Sequence, residues 1–223
     1  MPEVTGIQKE IEMSTNREYM DTSFWGTLFP ETKWKELLPE QYGQVFQRLM
    51  GAGPLNSEAA VYLKRKKIRL GFHEQYKSGA AWTFLGNITL APKGNLEGPY
   101  ILSLIVHEAL HLQQSLLMRL SMQGELLAWQ HQERAYFELT GKRIGGANQA
   151  YRNTRRFWKE LMGLSAYSRD DLAKAQELTR KIAPTYRSYC LPLFPLPREI
   201  GYCLMRGNFR DAFKAVRNLI ACK

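Results

Sequence analysis

The spacing of apolar residues along the chain predicts a small sheet followed by helices. Between Trp25 and Met50 apolar residues recur at helical spacing, and the segment GAGPLNSE ends that helix. Two runs with strand character follow: KKIRLGFHEQ alternates between apolar and polar residues, and AAWTFLGNITLAP is rich in Trp, Thr, Phe and Ile. Glycine and proline in PKGNLEGPY then end the region of strands.

Helical spacing dominates the second half of the chain. A strongly apolar helix is expected from about Ile101 to Met122, and Gly124 is expected to separate it from a second helix over about Glu125 to Leu139. Further helices are expected at about 150–163, 168–182 and 208–221, with the proline-rich connector LPLFPLPRE between the last two. The predicted fold class is therefore α+β.

Composition and charge narrow the class of protein. A chain of 223 residues with 44% apolar residues can bury a sizeable core, which argues against a disordered or fibrous protein. The net charge of +10 favours contact with polyanions. Cys190, Cys203 and Cys222 form no close pair, so we expect reduced thiols in a cytoplasmic protein rather than a disulfide framework.

No targeting or membrane-spanning segment is expected. The first residues are polar and charged, without the apolar stretch of a secretory signal. The apolar run at 100–120 contains two histidines, a glutamate and two glutamines near its centre, which would be costly in a bilayer. We interpret this run as a buried helix.

The same run contains an HExxH motif, His107-Glu108-Ala109-Leu110-His111. Histidines four residues apart lie on one face of a helix, so both imidazoles can reach one metal ion. Glu108 lies about 100° around the helix, where it can act as general base on a metal-activated water without being a ligand. The alternative interpretation is two histidines that are hydrogen-bonded within a helical core. The fold is thus expected to be a small sheet packed on an HExxH-bearing helix, with a helical C-terminal extension.

A third ligand is expected on the helix that follows. Glu125 is the first side chain after the expected reversal at Gly124, and a carboxylate is favoured in the first turn of a helix. Glu133 and His131 are the alternative ligands. His131 and Tyr136 are also candidates for stabilising an oxyanion.

These residues resemble the zincin superfamily of zinc metallopeptidases, and HEALH followed by a helix that begins with an acid is similar to the gluzincin pattern. The chain also looks like the compact zincin-like domains of uncharacterised bacterial proteins. The resemblance implies a hydrolase that cleaves a peptide or protein substrate. It also implies one Zn²⁺ per chain, held by His107 and His111 and completed by a downstream glutamate, with Glu108 as the catalytic base. Trp129 stands where the fuller family motif has an aspartate.

A basic segment suggests a second kind of partner. Residues 140–159 contain six Lys and Arg residues and no acid, interleaved with aromatic residues, which suits nucleic acid or another polyanion. The candidate contacts are Arg152, Arg155 and Arg156. Solvated helix faces in a basic protein are the simpler interpretation.

The expected organisation is a loose arm at 1–18, a zincin-like catalytic core at 19–140, and a basic helical extension at 141–223 that packs on the core. The predicted function is zinc-dependent hydrolysis of peptide bonds. The alternatives are a nucleic-acid-associated protease or regulator, and a non-catalytic binding module that has the zincin fold.

Overall fold

The computed structural model describes residues 34–73, 80–83, 85–92, 95–144, 152–182 and 191–221. Of these, residues 152–155, 181–182 and 219–221 are described by their backbone only. The predicted arm at 1–18 lies outside the described residues. The predicted boundary at 140/141 stays a prediction.

The described residues form the predicted α+β fold. In chain order the elements are β1 (Trp34–Glu36), α1 (Pro39–Met50), α2 (Pro54–Arg65), β2 (Leu70–His73), β3 (Ala80–Trp82), β4 (Ile88–Leu90), α3 (Pro99–Gln113), α4 (Leu116–Arg119), α5 (Met122–Thr140), α6 (Arg152–Met162), α7 (Arg169–Ile182), α8 (Leu196–Met205) and α9 (Phe209–Ala221). Among these elements, no helix combines the length and the apolar character that crossing a bilayer requires.

The sheet is small and mixed, and its strands are arranged in the order β1-β2-β4-β3. The two central strands, β2 and β4, are parallel, and both outer strands pair antiparallel with their neighbours. All three residues of β4 are buried. β3 is an edge strand, and it packs beside α3, the helix that bears the HExxH motif.

Two apolar clusters hold the elements together, and α5 contributes to both. The first joins the sheet to α1, α2 and α3 through fully or nearly fully buried side chains that include Leu49, Leu63, Leu70, Ile88, Leu102 and Ile105. The second joins the first half of α5 to α6, α7 and Phe194. Because α3 and α5 pack against each other, side chains on their facing surfaces are removed from water.

The motif helix is shorter than its apolar pattern predicts. It ends at Gln113 rather than Met122, and the short helix α4 precedes α5. Ser115 and Ser121 are the N-cap residues of α4 and α5, since each hydroxyl accepts a hydrogen bond from the backbone N–H three residues later. The prediction failed because apolar content alone does not reveal where a serine caps a helix.

Two other sequence predictions need correction in the sheet region. The segment at 34–36, expected to be helical, is a strand because it pairs with β2, with Trp34 opposite His73. The run expected to have strand character over 80–92 instead contains two strands joined by a turn, in which Gly86 has a φ of 81°. A left-handed conformation of this kind favours glycine.

Contacts at both ends fix the position of α5. Near its carboxyl end, Glu138 accepts hydrogen bonds from the backbone N–H groups of Leu55 and Asn56, in the first turn of α2. At its amino end, the N–H of Met122 donates to the carbonyl of Pro192 at 2.8 Å, and the N–H of Gln123 donates to that of Leu193 at 3.0 Å. These two bonds satisfy donors that the first turn of a helix otherwise leaves without partners.

Candidate metal centre

The HExxH side chains lie in the interface between α3 and the first turn of α5. His107, Glu108, His111 and Glu125 are all buried. The two histidine Nε2 atoms are 3.1 Å apart. The Glu125 carboxylate faces both rings, with Oε1 at 3.6 Å from Nε2 of His107 and Oε2 at 3.3 Å from Nε2 of His111. Two imidazole nitrogens and one carboxylate therefore converge on one point.

These separations fit a tetrahedral ion. Zinc binds histidine nitrogen and carboxylate oxygen at about 2.0–2.2 Å, so its tetrahedral ligand atoms lie about 3.3 Å from one another. Among the described residues, the clustered metal-binding side chains are His107, His111 and Glu125, whose donor atoms all lie within 4.8 Å of one another. Two histidines with one carboxylate are also a donor set of catalytic zinc sites. The residues present fit the ion.

The Gln114 side chain favours the tautomer of His111 in which Nε2, the ring nitrogen that faces the centre, has a free lone pair. Its side-chain NH₂ donates to the carbonyl of Gly124 at 3.2 Å, which leaves its oxygen 3.2 Å from Nδ1 of His111. Because an amide oxygen only accepts, this contact requires a hydrogen on Nδ1 of His111, which leaves Nε2 as the nitrogen available to a metal ion. A metal ligand needs this tautomer, and a hydrogen bond of this kind commonly fixes it.

Burial affects the two imidazoles differently. Burial, together with the neighbouring His111, lowers the pKa of His107 to about 3, so that ring is neutral. Burial also acts to lower the pKa of His111, but the hydrogen bond and charge of Glu125, together with the Glu108 charge and the Gln114 hydrogen bond, outweigh it, so the pKa is raised overall. The carboxylate thus favours positive charge at the position where the donor atoms converge.

Glu108 lies beside the donor atoms and is held by the sheet. Its Oε2 accepts a hydrogen bond of 2.9 Å from the backbone N–H of Trp82, and its Oε1 lies 4.0 Å from Nε2 of His107. Burial raises the pKa of Glu108 to about 7. A carboxylate with this pKa can both accept and release a proton near neutrality, as a general base that later becomes an acid must do.

The Trp82 amide points at α3 because of the strand register. Thr83 donates to the Asn87 carbonyl on the β4 side, and alternate residues of an antiparallel strand face opposite edges. The N–H of Trp82 therefore faces away from β4, on the side of β3 where it meets Glu108. The centroids of the Trp82 and His111 rings are 6.4 Å apart, and the Arg119 guanidinium lies over the Trp82 ring at 5.1 Å.

Gly124 positions Glu125, although for a different reason from the one predicted. It is not at the reversal but inside the first turn of α5. A Cβ on Gly124 would overlap the backbone carbonyl oxygen of Met118. Only glycine allows α4 to approach this closely, and the close approach brings the next residue, Glu125, to the histidines.

The other candidate residues lie away from the convergence point. His131 directs Nδ1 at the carbonyl of Leu127, 3.1 Å away in its own helix. Glu133 accepts the backbone N–H of Ile144 at 3.1 Å. Tyr136 packs against the second apolar cluster. Neither His131 nor Glu133 joins the donor group that the described residues form around His107, and the oxyanion role of Tyr136 stays a prediction.

The basic segment is only partly described. Arg156 is exposed and pairs with Glu160, at 2.8 Å, within its own helix. The side chains of Arg152 and Arg155 lie outside the described residues, so contact between this segment and a polyanion stays a prediction.

Sequence reasoning missed three groups that organise the centre: the Gln114 side chain, the Trp82 backbone amide and the small size of Gly124. A polar residue three positions after His111, next to the end of an apolar helix, was the available signal for Gln114. The other two depend on tertiary contacts. No family model, curated protein or solved structure matches the chain.

Proposed function

We propose that this protein is a zinc-dependent hydrolase of peptide bonds, with the ion held by His107, His111 and Glu125 and with Glu108 as general base. The observation that carries the proposal is the convergence of two Nε2 atoms, 3.1 Å apart, and one carboxylate within 3.6 Å of them. The resemblance of HEALH and the following acidic helix to the zincins supports the same reaction.

The chain's own residues would move the proton. A zinc ion, when bound, supplies a Lewis acid that lowers the pKa of water and polarises a substrate carbonyl. Glu108 accepts the proton of the attacking water at one carboxylate oxygen while the Trp82 amide holds the other oxygen. The same carboxyl then donates that proton to the leaving amine nitrogen.

A peptide substrate is favoured by the position of β3. This strand is at the edge of the sheet and adjoins the centre through Trp82. An extended peptide can add to a strand edge through backbone hydrogen bonds, and on β3 it would use the outward-facing groups other than the Trp82 N–H, which is bonded to Glu108. We also propose a cytoplasmic location, because Cys203 is a buried free thiol and the three cysteines form no close pair in the sequence.

The metal assignment is tested by measuring zinc in purified variants. The parent is expected to hold about one zinc ion per chain, and His107→Ala and His111→Ala to hold none. His131→Ala is the control, because it removes a histidine outside the donor group, and it should keep the ion. Full zinc content in either motif variant would show that the ligand assignment is wrong.

The third ligand is tested with an isosteric pair on α5. Glu125→Gln is expected to lose zinc, because an amide is a poor ligand beside two neutral imidazoles. Glu133→Gln should retain it, since its amide oxygen can still accept the Ile144 N–H. The reverse result would assign the site to Glu133.

The reaction is tested with Glu108→Gln, assayed on a library of fluorogenic peptides. This variant is expected to keep zinc but to lose turnover by about 10²–10⁴-fold, the usual contribution of a general base. Undiminished turnover would overturn the mechanism. A parent protein without zinc, equally stable with and without chelator, would instead support the non-catalytic module, with a His111–Glu125 ion pair at its centre.

A further inference from the structure

The hairpin of α8 and α9 exposes large apolar side chains. Met205 is 84% exposed, Phe209 is 70% exposed and Phe213 is 71% exposed. Phe209 and Phe213 are four residues apart and therefore lie on one face of α9. Side chains of this kind are usually buried, and an exposed group of them marks a binding surface.

A stripe of cations runs beside the two phenylalanines. Arg210, Lys214 and Arg217 are exposed and recur at helical spacing on α9, roughly 100° from the apolar stripe. Asp211, the acid of this helix, follows Arg210 and accepts a hydrogen bond from Asn208. The apolar and cationic stripes therefore run side by side along one helix.

The cationic stripe also lines a cavity of about 490 Å³. Its described lining consists of Arg210, Asp211, Phe213, Lys214 and Arg217. Three of these five side chains are cations, one is a phenylalanine and one is the Asp211 carboxylate, so the lining has a net positive charge that favours an anionic group. Its size is within the range of small-molecule sites.

We propose that the α8–α9 hairpin binds the surface of a bilayer containing anionic phospholipid. Met205, Phe209 and Phe213 enter the acyl boundary, and the three cations contact phosphate groups. A helix lying in the plane of the interface can engage both stripes at once, as amphipathic helices with Phe and Lys/Arg faces do. Nucleic acid would use the cations but leave Met205 exposed, so it fits less of the surface. The proposal does not depend on the metal centre.

The experiment is co-sedimentation of the full chain with vesicles of phosphatidylcholine alone and of phosphatidylcholine with phosphatidylserine. We expect binding to the second kind only, and weaker binding as salt is raised. Phe209→Ser/Phe213→Ser should reduce binding about tenfold or more, because the apolar stripe is lost. Tyr167→Ser is the matched control, since Tyr167 is 71% exposed but lies before α7, and it should bind like the parent.

Charge is tested separately. Arg210→Glu/Lys214→Glu should also weaken binding by tenfold or more, given about fivefold for each cation near the surface. Lys174→Glu, at an exposed position of α7, should change binding far less. Circular dichroism spectra and thermal unfolding that match those of the parent in all variants would show that the fold is intact.

Several results would overturn the proposal. Equal sedimentation with both kinds of vesicle would show that the cations do not contribute to binding. Sedimentation with neither kind would show that the hairpin does not bind a bilayer surface. Binding to duplex DNA without vesicle binding would assign the stripe to nucleic acid. A Phe-dependent dimer in light scattering, again without vesicle binding, would assign it to a second copy. Complete competition by soluble glycerophosphoserine would indicate a headgroup pocket rather than a bilayer surface.

Discussion

The centre between α3 and α5 and the α8–α9 hairpin distribute polar and apolar groups in opposite ways. At the centre, ionisable side chains are buried and each contacts another: Glu125 is 6% exposed and lies 3.3 Å from His111. In the hairpin, Phe213 is 71% exposed and a stripe of exposed cations runs beside it on the same helix. Buried charged groups are costly unless partnered, whereas exposed apolar groups cost little in the isolated chain.

Because of this difference, substitutions in the two regions should have different effects. Substitutions at the centre should alter metal binding and stability together, because each group depends on the others. Substitutions in the hairpin should leave the folded chain unchanged and affect only what binds to it. The following predictions test this separation.

Metal removal should have the largest effect. A ligand present at 1,000 times its Kd stabilises the folded state by about 4 kcal/mol. We therefore expect chelation of the zinc-loaded parent to lower its Tm by several degrees in calorimetry. Glu125→Gln, which should bind no zinc, should show no such change. An equal fall in both would mean that the chelator acts elsewhere.

Gly124→Ala should destabilise the chain by about 2–3 kcal/mol, because the new methyl group overlaps the Met118 carbonyl and α4 must shift. Urea denaturation measures this loss, and zinc affinity should fall with it. Gly43→Ala is the matched control, since a Cβ at this glycine, within α1, meets nothing within 4 Å. A Gly124→Ala variant as stable as the parent would contradict the close approach.

Gln114→Ala should weaken zinc binding by about 10–100-fold, the usual effect of removing a partner that orients a ligand histidine. Competition with a chromophoric chelator gives the affinity. Gln114→Glu should recover much of it, because a carboxylate can still accept from Nδ1 of His111. Parent-like affinity in the alanine variant would show that Gln114 does not orient His111.

Phe213→Ser should have the smallest effect on the folded chain. Surface substitutions usually change the free energy of unfolding by less than about 0.5 kcal/mol. Zinc content should be unchanged as well. A loss of several kcal/mol in urea denaturation would mean that the phenylalanine is packed in the folded chain, and the contrast between the two regions would fail.

The sequence predicts those parts of the centre that depend on residues close together along the chain. The spacing of His107 and His111 fixes their common face in any helix, and Glu125 was expected within reach of them. The position predicted for the chain reversal before Glu125 was wrong, because the reversal depends on Ser115, Ser121 and the short helix between them. The expected Gly124 break was instead a site of close packing.

The missed features depend on residues far apart in the chain. Trp34 is in a strand only because His73 lies opposite it. The Trp82 amide reaches Glu108 because β3 is an edge strand beside α3. Helical or strand spacing describes neighbours along the chain, so it cannot show which edge of a sheet meets which helix.

The bonds from Met122 and Gln123 to Pro192 and Leu193 have a consequence for synthesis. A ribosome makes the HExxH segment and Glu125 well before it makes the proline-rich connector. Until residues 192–193 have emerged, the first turn of α5 lacks two of the acceptors that hold it. A nascent chain released before that point contains every proposed zinc ligand. It lacks the Pro192 and Leu193 carbonyls, which hold the helix turn that bears Glu125. We therefore expect assembly of the centre to follow the synthesis of residues 192–193.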